Sequence, residues 1–293
     1  MKIAQKSAHK TEFQYNQEMK QYCYLDGKIR PLDEAKISVS DIGLLRGYGV
    51  YDGLAVMGGK VFRLADHWRR FTRGAEALNI KIPITEVALE KKIINLTEKS
   101  GLKDRANIRL ILTGGETLEG IEYDFNKPTF FITAGQWKSL PNEYYEKGIK
   151  LMTYDYQREM PEIKTINYIT AVRLQTLKKK EEATEILYVH KGMVLEGATS
   201  NIILVKDNTL ITPVANVLEG VTRKVVEELI SGDYKVEKRD IKEAELKSAD
   251  EAFITSSFRD IVPVTKIDNF TVGNGQVGTI TKEVMNRFAK YCM

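Results

Sequence analysis

The stretch RGYGVYDGLAVM occupies residues 46–57 and contains the first long extended segment of the sequence. We predict a strand over residues 50–57, a tight turn at Gly58-Gly59 and a returning strand over residues 60–63. A helical pattern follows directly over residues 64–80, where apolar side chains recur every three or four positions. The sequence therefore predicts a strand pair that leads straight into a helix.

A second helix and an unusual strand come next. Residues 85–100 have helical spacing, with a threonine at the start and a glycine just after the end. Residues 106–113 alternate in polarity, and Ile108, Leu110 and Leu112 share one face of the predicted strand. Arg109 stands in the middle of this apolar strand. Because burying an unpaired charge is costly, such an arginine calls for a specific partner or role.

Changes in pattern along the chain suggest two domains. Residues 1–20 are polar, mixed in charge and without the apolar segment of a signal peptide, so we interpret them as an N-terminal extension. We predict a small α/β domain over residues 21–136, a linker over residues 137–145 and a larger domain over residues 146–293. In the larger domain we expect a continuous helix over residues 168–181 among several short strands.

Composition excludes several classes of protein. Lysine and arginine exceed aspartate and glutamate by only 44 to 40 in 293 residues, which does not favour a dedicated nucleic-acid binder. Two cysteines and three histidines without ligand spacing argue against a disulfide framework and a zinc site, and a reducing cytoplasm is the default location. No apolar run reaches the ~18–20 residues that span a bilayer.

One glycine-rich motif matches a dinucleotide-binding pattern. Residues 273–278 read GNGQVG and precede a predicted helix. A dinucleotide site also needs an acidic residue ~20 positions further on and a continuing βαβ unit, and the chain ends before either. A plain turn is therefore the favoured interpretation.

Four short stretches point together to a phosphorylated aldehyde cofactor. Lys164 precedes a predicted helix, and a lysine in such a place can bond to an aldehyde. Glu196 ends one strand and can hold a ring nitrogen protonated. The motif GVTR at residues 220–223 begins a helix, and TSSF at residues 255–258 supplies hydroxyl groups at a strand end. Small hydroxyl residues at a helix N-terminus are typical phosphate ligands.

In content and order these stretches resemble the class IV, or fold type IV, pyridoxal-phosphate transaminases, which include branched-chain and D-amino-acid aminotransferases and aminodeoxychorismate lyases. The resemblance begins at Tyr22 and reaches the C-terminus. Its most specific parts are RGYGVYDG at 46–53, HWRRF at 67–71, KTINY at 164–168, EGATSN at 196–201 and GVTR at 220–223. It implies an α+β fold with a small α/β N-terminal domain and a larger β-barrel-like C-terminal domain that binds pyridoxal 5′-phosphate.

The resemblance also implies roles for individual residues. Lys164 corresponds to the catalytic lysine that bonds to the cofactor and moves a proton, and Glu196 to the partner of the pyridine nitrogen. Tyr168 resembles the tyrosine that contacts the phenolic oxygen, although it stands one residue nearer to the lysine than in branched-chain enzymes. We expect His67 only to pack beneath its helix. The phosphate ligands are implied to be Arg70, Val221, Thr222 and Ser257.

Substrate contacts are implied for four residues, namely Arg46, Tyr51, Arg109 and Phe258. The two arginines resemble a D-amino-acid transaminase subgroup in which both grip the substrate α-carboxylate. Alternatively, Arg109 binds the side-chain carboxylate of a glutamate or 2-oxoglutarate, as in branched-chain enzymes. Family sites borrow residues from a neighbouring subunit, so we expect a homodimer in which Arg46 and Tyr51 come from the partner.

No subgroup pattern is complete. The lyases place a catalytic threonine where this chain has Gly53, and residues 113–120 lack the Arg-x-His of standard D-amino-acid enzymes. Branched-chain enzymes carry a tyrosine where this chain has Asn107. We predict an aminotransferase that favours D-amino acids, with L-branched-chain aminotransferase as the alternative and lyase activity as a further, weaker one. The substrates are amino acids and 2-oxo acids such as 2-oxoglutarate or pyruvate.

Overall fold

The computed structural model describes residues 21–293, which form two β-sheets with helices packed against them. The extension expected over residues 1–20 lies outside the described residues. Within residues 21–293, no helix is both long enough and apolar enough to cross a lipid bilayer.

The first sheet has six antiparallel strands in the order β2-β1-β6-β5-β3-β4. Their bounds are β1 Tyr22–Leu25, β2 Lys28–Pro31, β3 Gly49–Met57, β4 Lys60–Val61, β5 Arg105–Thr113 and β6 Thr129–Gln136. Three α-helices and one short 3₁₀-helix belong to this part of the chain: α1 Ile42–Arg46, α2 Leu64–Ala77, α3 Glu86–Lys99 and the 3₁₀-helix Leu32–Glu34.

The polarity pattern of β5 determines which face of this sheet is buried. Ile108, Leu110 and Leu112 are fully buried, in one cluster with Phe71 of α2 and Ile93 of α3. The opposite face of β5 turns away from these helices. The helices thus cover one side of the sheet and leave the other side available for a binding site.

The second sheet has ten strands, with the order β12-β11-β10-β14-β15-β7-β8-β9-β13 and β16 paired to β15. Their bounds are β7 Ile149–Asp155, β8 Glu185–His190, β9 Met193–Gly197, β10 Asn201–Lys206, β11 Thr209–Thr212, β12 Lys235–Lys238, β13 Ile241–Lys242, β14 Glu251–Ser256, β15 Asp260–Ile267 and β16 Phe270–Thr271. The α-helices here are α4 Asn142–Lys147, α5 Ile169–Arg173, α6 Gln175–Lys180, α7 Val221–Ile230 and α8 Thr279–Tyr291, and a 3₁₀-helix spans Glu243–Ser248.

The helix expected over residues 168–181 is wrong in one respect, because it is broken. Leu174 separates α5 from α6, with backbone angles of φ −80° and ψ −2°. Leu174 is buried, and its N–H still donates to the Thr170 carbonyl while its carbonyl accepts from the Lys178 N–H. The lysines at the end of α6, Lys178 to Lys180, lie at a helix terminus, where cations interact favourably with the helix dipole.

Backbone hydrogen bonds join the loop between β7 and α5 to the first sheet. The Tyr51 N–H donates to the Lys164 carbonyl at 2.9 Å, and the Ile166 N–H donates to the Gly49 carbonyl at 3.0 Å. This pairing is possible because β4 covers only the far end of β3, at Val56 and Met57. Lys164 is therefore attached to the edge of β3.

The glycine-rich motif at residues 273–278 is a turn before α8. The N-terminus of this helix is already occupied by the Glu251 carboxylate, which accepts from the Ile280 N–H at 3.1 Å and from the Thr281 N–H at 2.7 Å. A Cβ at Gly278 would also lie only 1.8 Å from the Glu251 carboxyl carbon. The carboxylate thus occupies two N–H groups of the first turn and puts a negative charge there, which disfavours a dinucleotide phosphate.

We predict that Glu251→Ala lowers the free energy of unfolding by about 1–2 kcal/mol, because the first turn of α8 loses its cap. Glu251→Gln keeps an amide oxygen in the same place and should lose less. Urea denaturation of both variants tests this. Equal stability of Glu251→Ala and the parent protein would contradict the capping role.

Candidate active site

A cavity of about 470 Å³ lies between residues of the first and second sheets, and its size is typical of a small-molecule site. Ten of the eleven residues that the sequence singles out line its wall: Tyr51, Arg70, Arg109, Lys164, Tyr168, Glu196, Val221, Thr222, Ser257 and Phe258. Within residues 21–293 no cluster of side chains has the composition of a metal site.

The N-terminus of α7 forms one end of the cavity. Gly220 precedes the helix, and no side chain caps it in the described part of the chain. A Cβ at Gly220 would lie 1.8 Å from the Asn201 amide oxygen, so this close approach requires glycine. Asn201 in turn donates to the Leu218 carbonyl at 2.8 Å and fixes the preceding loop. Exposed N–H groups at such a helix end favour an anion.

Arg70 reaches the same end of the cavity from α2. Its guanidinium is bound by the fully buried Asp52 carboxylate, with Nε–Oδ2 at 2.9 Å and Nη2–Oδ1 at 2.7 Å. Its third nitrogen donates to the Glu219 carbonyl at 3.1 Å. His67 is buried too, as expected, but its Nδ1 also lies 2.9 Å from Asp52. Asp52 therefore holds the arginine side chain in one orientation.

Charge balance around Asp52 favours its ionised form. Burial alone raises the pKa of a carboxyl group, but Arg70 and His67 outweigh that effect and hold the pKa of Asp52 well below its usual range. Burial lowers the pKa of His67, which favours the neutral imidazole at pH 7. The pair Asp52–Arg70 is consequently a buried salt bridge at neutral pH.

Hydroxyl groups at the end of β14 complete this end of the cavity. The Thr255 and Ser256 hydroxyls are buried, and neither has a hydrogen-bond partner among the described residues. The following loop is held by Arg259, which forms an ion pair at 2.5 Å with the buried Glu185. Thr199 also donates to Glu185, at 2.7 Å. The end of β14 thus presents unpartnered hydroxyl groups beside a loop that Arg259 holds in place.

Lys164 lies in the middle of the cavity, beside two tyrosines. Its Nζ is 4.4 Å from the centre of the Tyr51 ring. The Tyr51 hydroxyl donates to the Tyr168 hydroxyl at 2.7 Å, which leaves the Tyr168 proton free for another acceptor. Burial raises the pKa of Tyr168 to about 12, so the hydroxyl stays protonated at neutral pH. No ion pair with Lys164 is present in the described range.

Glu196 lies at the end of β9 and is buried, with 5% of its surface exposed. Burial raises the pKa of its carboxyl group, and the neighbouring Arg158 opposes that shift. Arg158 Nε donates to Oε1 at 2.7 Å, and the Leu218 N–H donates to Oε2 at 2.9 Å. Both carboxylate oxygens keep lone pairs that can accept a further proton donor.

The remaining wall comes from the uncovered face of the first sheet. Arg109 is exposed there, and its guanidinium lies 5.1 Å from the centre of the Phe258 ring. Gly53 pairs with Arg109 across the sheet, and a Cβ at Gly53 would lie 2.7 Å from that ring. The ring thus fills the space that a threonine would need. Asn107 also lines this wall, and its Oδ1 is buried without a partner among the described residues.

Arg46 and Tyr51 were both expected to reach the site from a partner subunit, and the structure places them differently from each other. Arg46 lies outside the cavity, exposed at the end of α1, where it donates to the Leu45 carbonyl. Tyr51 lies in the cavity of its own chain, so the expectation that a partner supplies it is wrong. The reason is the backbone pairing of Tyr51 with Lys164, which places both side chains together.

Asp52 and Arg158 are parts of the site that the sequence interpretation missed. Asp52 stands within the recognised RGYGVYDG stretch. It comes close to Arg70 only when α2 packs on β3, so the sequence does not show that the two residues are partners. Arg158 precedes the Lys164 loop by a few residues, but its partner Glu196 is 38 residues further along the chain. The sequence signal for Asp52 is the presence of an acidic residue within the predicted, otherwise mostly apolar strand over residues 50–57.

Comparison with known proteins identifies relatives of this arrangement. The family model described as amino-transferase class IV matches residues 49–267. A Methanocaldococcus jannaschii protein, provisionally named a branched-chain-amino-acid aminotransferase, is 35% identical over 275 residues, which cover 90% of this chain and 94% of that protein. The D-alanine aminotransferase of Staphylococcus epidermidis is 30% identical over 276 residues, covering 92% and 96%.

Solved structures with the same fold agree with this result. The T.th. branched-chain amino acid aminotransferase with pyridoxamine 5′-phosphate superposes with a TM-score of 0.87 at 26% identity, covering 93% of this chain and 94% of that one. The Escherichia coli branched-chain amino acid aminotransferase gives the same TM-score at 24% identity, covering 92% and 94%. The predicted α+β, fold type IV architecture is confirmed.

We predict that Asp52→Asn lowers the free energy of unfolding by about 3–5 kcal/mol, because it leaves Arg70 buried without a counterion. The folded-state pKa of Asp52 is depressed, so its contribution is complete above the unfolded pKa of ~3.9 and is lost as pH falls through the folded value. Urea denaturation at pH 7 therefore measures the whole effect. Arg69→Ala is the matched control, since Arg69 is largely exposed. Equal stability of Asp52→Asn and this control would contradict the prediction.

Proposed function

The chain belongs to the class IV aminotransferase family, and from this premise we propose that it uses pyridoxal 5′-phosphate to move an amino group between an amino acid, with D-amino acids preferred, and a 2-oxo acid such as 2-oxoglutarate or pyruvate. The observation that carries the proposal is the common cavity of Lys164 and Arg70. A reactive amine and an anion site within one small cavity suit a phosphorylated aldehyde.

The donor set of the cavity fits this cofactor. The uncapped N-terminus of α7, the Arg70 guanidinium and the hydroxyls after β14 form a phosphate site, with Val221, Thr222 and Ser257 as proposed ligands. The buried, unpartnered hydroxyls of Thr255 and Ser256 support a missing acceptor there. Glu196 offers the acceptor for a ring N–H, and Tyr168 offers a donor for a phenolic oxygen.

Each residue has a defined task in the proposed reaction. Bound pyridoxal phosphate supplies an aldehyde and a ring that withdraws electrons from the substrate α-carbon. Lys164 takes the proton from that α-carbon in one direction and returns it in the other. Glu196 holds the proton on the ring nitrogen, and Tyr168 donates to the phenolic oxygen. The same residues serve both half-reactions, so ping-pong kinetics follow.

Arg109 supports the carboxylate-binding side of the proposal. Its guanidinium is exposed to the cavity and forms no ion pair with an acidic side chain of residues 21–293. We propose that Arg109 and Arg46 grip the substrate α-carboxylate and that Tyr51 and Phe258 contact the rest of the substrate. The L-branched-chain alternative remains a second candidate, and both names occur among the relatives. The Phe258 ring fills the space beside Gly53 in which the lyases place their catalytic threonine, and this argues against lyase activity.

An exposed apolar surface supports the proposed homodimer. Segments 37–46 and 114–125 are joined by backbone hydrogen bonds, such as that from the Ile42 N–H to the Gly115 carbonyl. Large apolar side chains are exposed along both segments: Ile37, Val39, Leu44, Leu45, Leu118, Ile121 and Phe125. A surface of this kind favours a protein partner, here a second copy of the chain. Arg46 stands beside it and is proposed to enter the partner's cavity.

Localisation in the cytoplasm is likewise a proposal. It is supported by two cysteines that form no disulfide with each other, Cys23 and Cys292. The predicted division into domains at residues 21–136, 137–145 and 146–293 also stays a prediction.

We predict that Lys164→Ala removes the visible absorption band that the bound cofactor shows when its aldehyde is bonded to the lysine amine, since that amine is gone. Absorption spectra of the parent protein and the variant, both loaded with pyridoxal phosphate, measure this. Lys150→Ala is a control from the same region, because Lys150 lies outside the cavity on β7. A parent-like band in Lys164→Ala would defeat the assignment.

We predict that Arg109→Ala and Arg46→Ala each raise KM roughly tenfold to a hundredfold for every amino acid, since each removes a charged hydrogen bond worth about 1.5–3 kcal/mol. Steady-state kinetics with D- and L-alanine, glutamate and leucine measure this. Loss confined to acidic substrates would assign Arg109 to the side-chain carboxylate and favour the L-branched-chain alternative.

Mixing the variants shows which subunit supplies Arg46. If Arg46 acts across the dimer, inactive Lys164→Ala and weakened Arg46→Ala subunits form hybrids with one intact site, and activity rises on mixing. If activity is simply the average of the two preparations, Arg46 acts within its own subunit or not at all.

A further inference from the structure

Arg158 connects the Glu196 carboxylate with the loop that leads to Lys164. Its guanidinium lies almost entirely inside the protein, with 11% of the side chain exposed. Nε donates to Glu196 Oε1 at 2.7 Å, and Nη1 donates to the Ile163 carbonyl at 2.8 Å. Nη2 donates to the Pro161 carbonyl. One side chain therefore binds both the Glu196 carboxylate and the loop that ends in Lys164.

We propose that Arg158 is a positioning residue that fixes Glu196 and the Lys164 loop relative to each other, so that carboxylate and amine meet one cofactor ring at a set separation. This inference rests on the proposed function, in which Glu196 accepts the ring N–H and Lys164 bonds to the aldehyde. It adds a residue that acts through the Glu196 carboxylate and through the backbone of the Lys164 loop.

The carboxylate side of this connection is governed by charge. Glu196 is buried, and within residues 21–293 Arg158 is the cation that forms an ion pair with it. A buried carboxylate without a counterion tends to take up a proton, and a protonated Glu196 cannot hold a ring N–H. Lys164 also lies near enough to act on Glu196 electrostatically, but without direct contact. Arg158 thus opposes the effect of burial and favours the charged form of the acceptor.

The loop side of the connection is governed by geometry. Beyond Lys164 the chain is attached to β3 through Tyr51 and Gly49. Before Lys164 the Pro161 and Ile163 carbonyls point to the Arg158 fork, and the Ile163 N–H closes a turn onto the Met160 carbonyl. The lysine is consequently held from both sides. A lysine at position 158 keeps the charge, but its single ammonium group cannot donate to these three separate acceptors with the geometry of the planar guanidinium.

A purely structural salt bridge would have different consequences. It would lower stability when broken but leave the state of the ring nitrogen unchanged in the folded, loaded protein. The proposed role affects the ring nitrogen through Glu196 and the cofactor affinity through the loop. The two contributions separate when charge and hydrogen-bond geometry are altered independently.

The experiment compares Arg158→Gln, Arg158→Lys, Glu196→Gln and the double variant Arg158→Gln/Glu196→Gln, each loaded with pyridoxal phosphate. The dissociation rate of the cofactor is measured by fluorescence. The protonation of its ring is measured by NMR with a ¹⁵N-labelled pyridine nitrogen. Arg69→Gln is the control, because Arg69 is largely exposed and its ion pair is with Asp66, outside the cavity.

We expect Arg158→Gln to release the cofactor about tenfold to a hundredfold faster, the size of loss that is typical when a residue that orients a direct ligand is removed. We also expect the ring nitrogen of the bound cofactor to lose its proton in this variant. Arg158→Lys should keep the ring proton and still release the cofactor faster. Adding Glu196→Gln to Arg158→Gln should change ring protonation no further, because both act through one carboxylate.

Parent-like release and ring protonation in Arg158→Gln would overturn the inference, as would ring-proton loss only in Glu196→Gln. If Arg158→Gln does not fold, Arg158→Lys decides alone, since unchanged release from it would contradict the loop contacts. Failure of the parent protein itself to bind pyridoxal phosphate would refute the proposed function instead, so the two failures are distinguishable.

Discussion

The pairing of the Lys164 segment with the edge of β3 is the constraint on which the site depends. Two backbone hydrogen bonds, to Tyr51 and to Gly49, join a loop of the second sheet to a strand of the first. Because β4 is only two residues long, this edge of β3 is open to the loop. The pairing brings the amine, both tyrosines and the uncovered face of the first sheet into one cavity. Side-chain chemistry then acts within a geometry that the backbone has set.

Paired charges fix the orientation of the polar groups around the cavity. Three guanidinium groups each bind a buried carboxylate, in the pairs Arg70–Asp52, Arg158–Glu196 and Arg259–Glu185. Such pairs contribute little net stability, since desolvation offsets their attraction, but breaking one is costly. Their effect is to hold each arginine in one direction. Asp52 orients Arg70, the proposed phosphate ligand. Arg158 orients Glu196, the proposed partner of the ring nitrogen. The Arg259–Glu185 pair holds the loop after β14.

Periodicity allowed much of the fold to be predicted, and long-range contacts explain what was missed. The alternation in β5 identified the buried face, and the helical spacing over residues 64–80 and 85–100 gave α2 and α3 within a few residues. We predicted no strand over residues 260–267, where β15 lies, because Pro263 interrupts the extended pattern. Phe253 of β14 stands opposite Pro263, whereas the pairing with β7 begins only at Val264 and leaves that side of the proline without a partner strand.

The chemistry of the site was more accessible to sequence interpretation than its electrostatics. Lys164, Glu196 and Arg70 stand in recognisable motifs, whereas Asp52 and Arg158 act through partners brought near only by folding. The most direct test of the account is borohydride reduction of the protein loaded with pyridoxal phosphate, followed by peptide mass spectrometry. We expect a pyridoxyl group on the peptide that contains Lys164. A pyridoxyl group on another lysine, or on none, would contradict it.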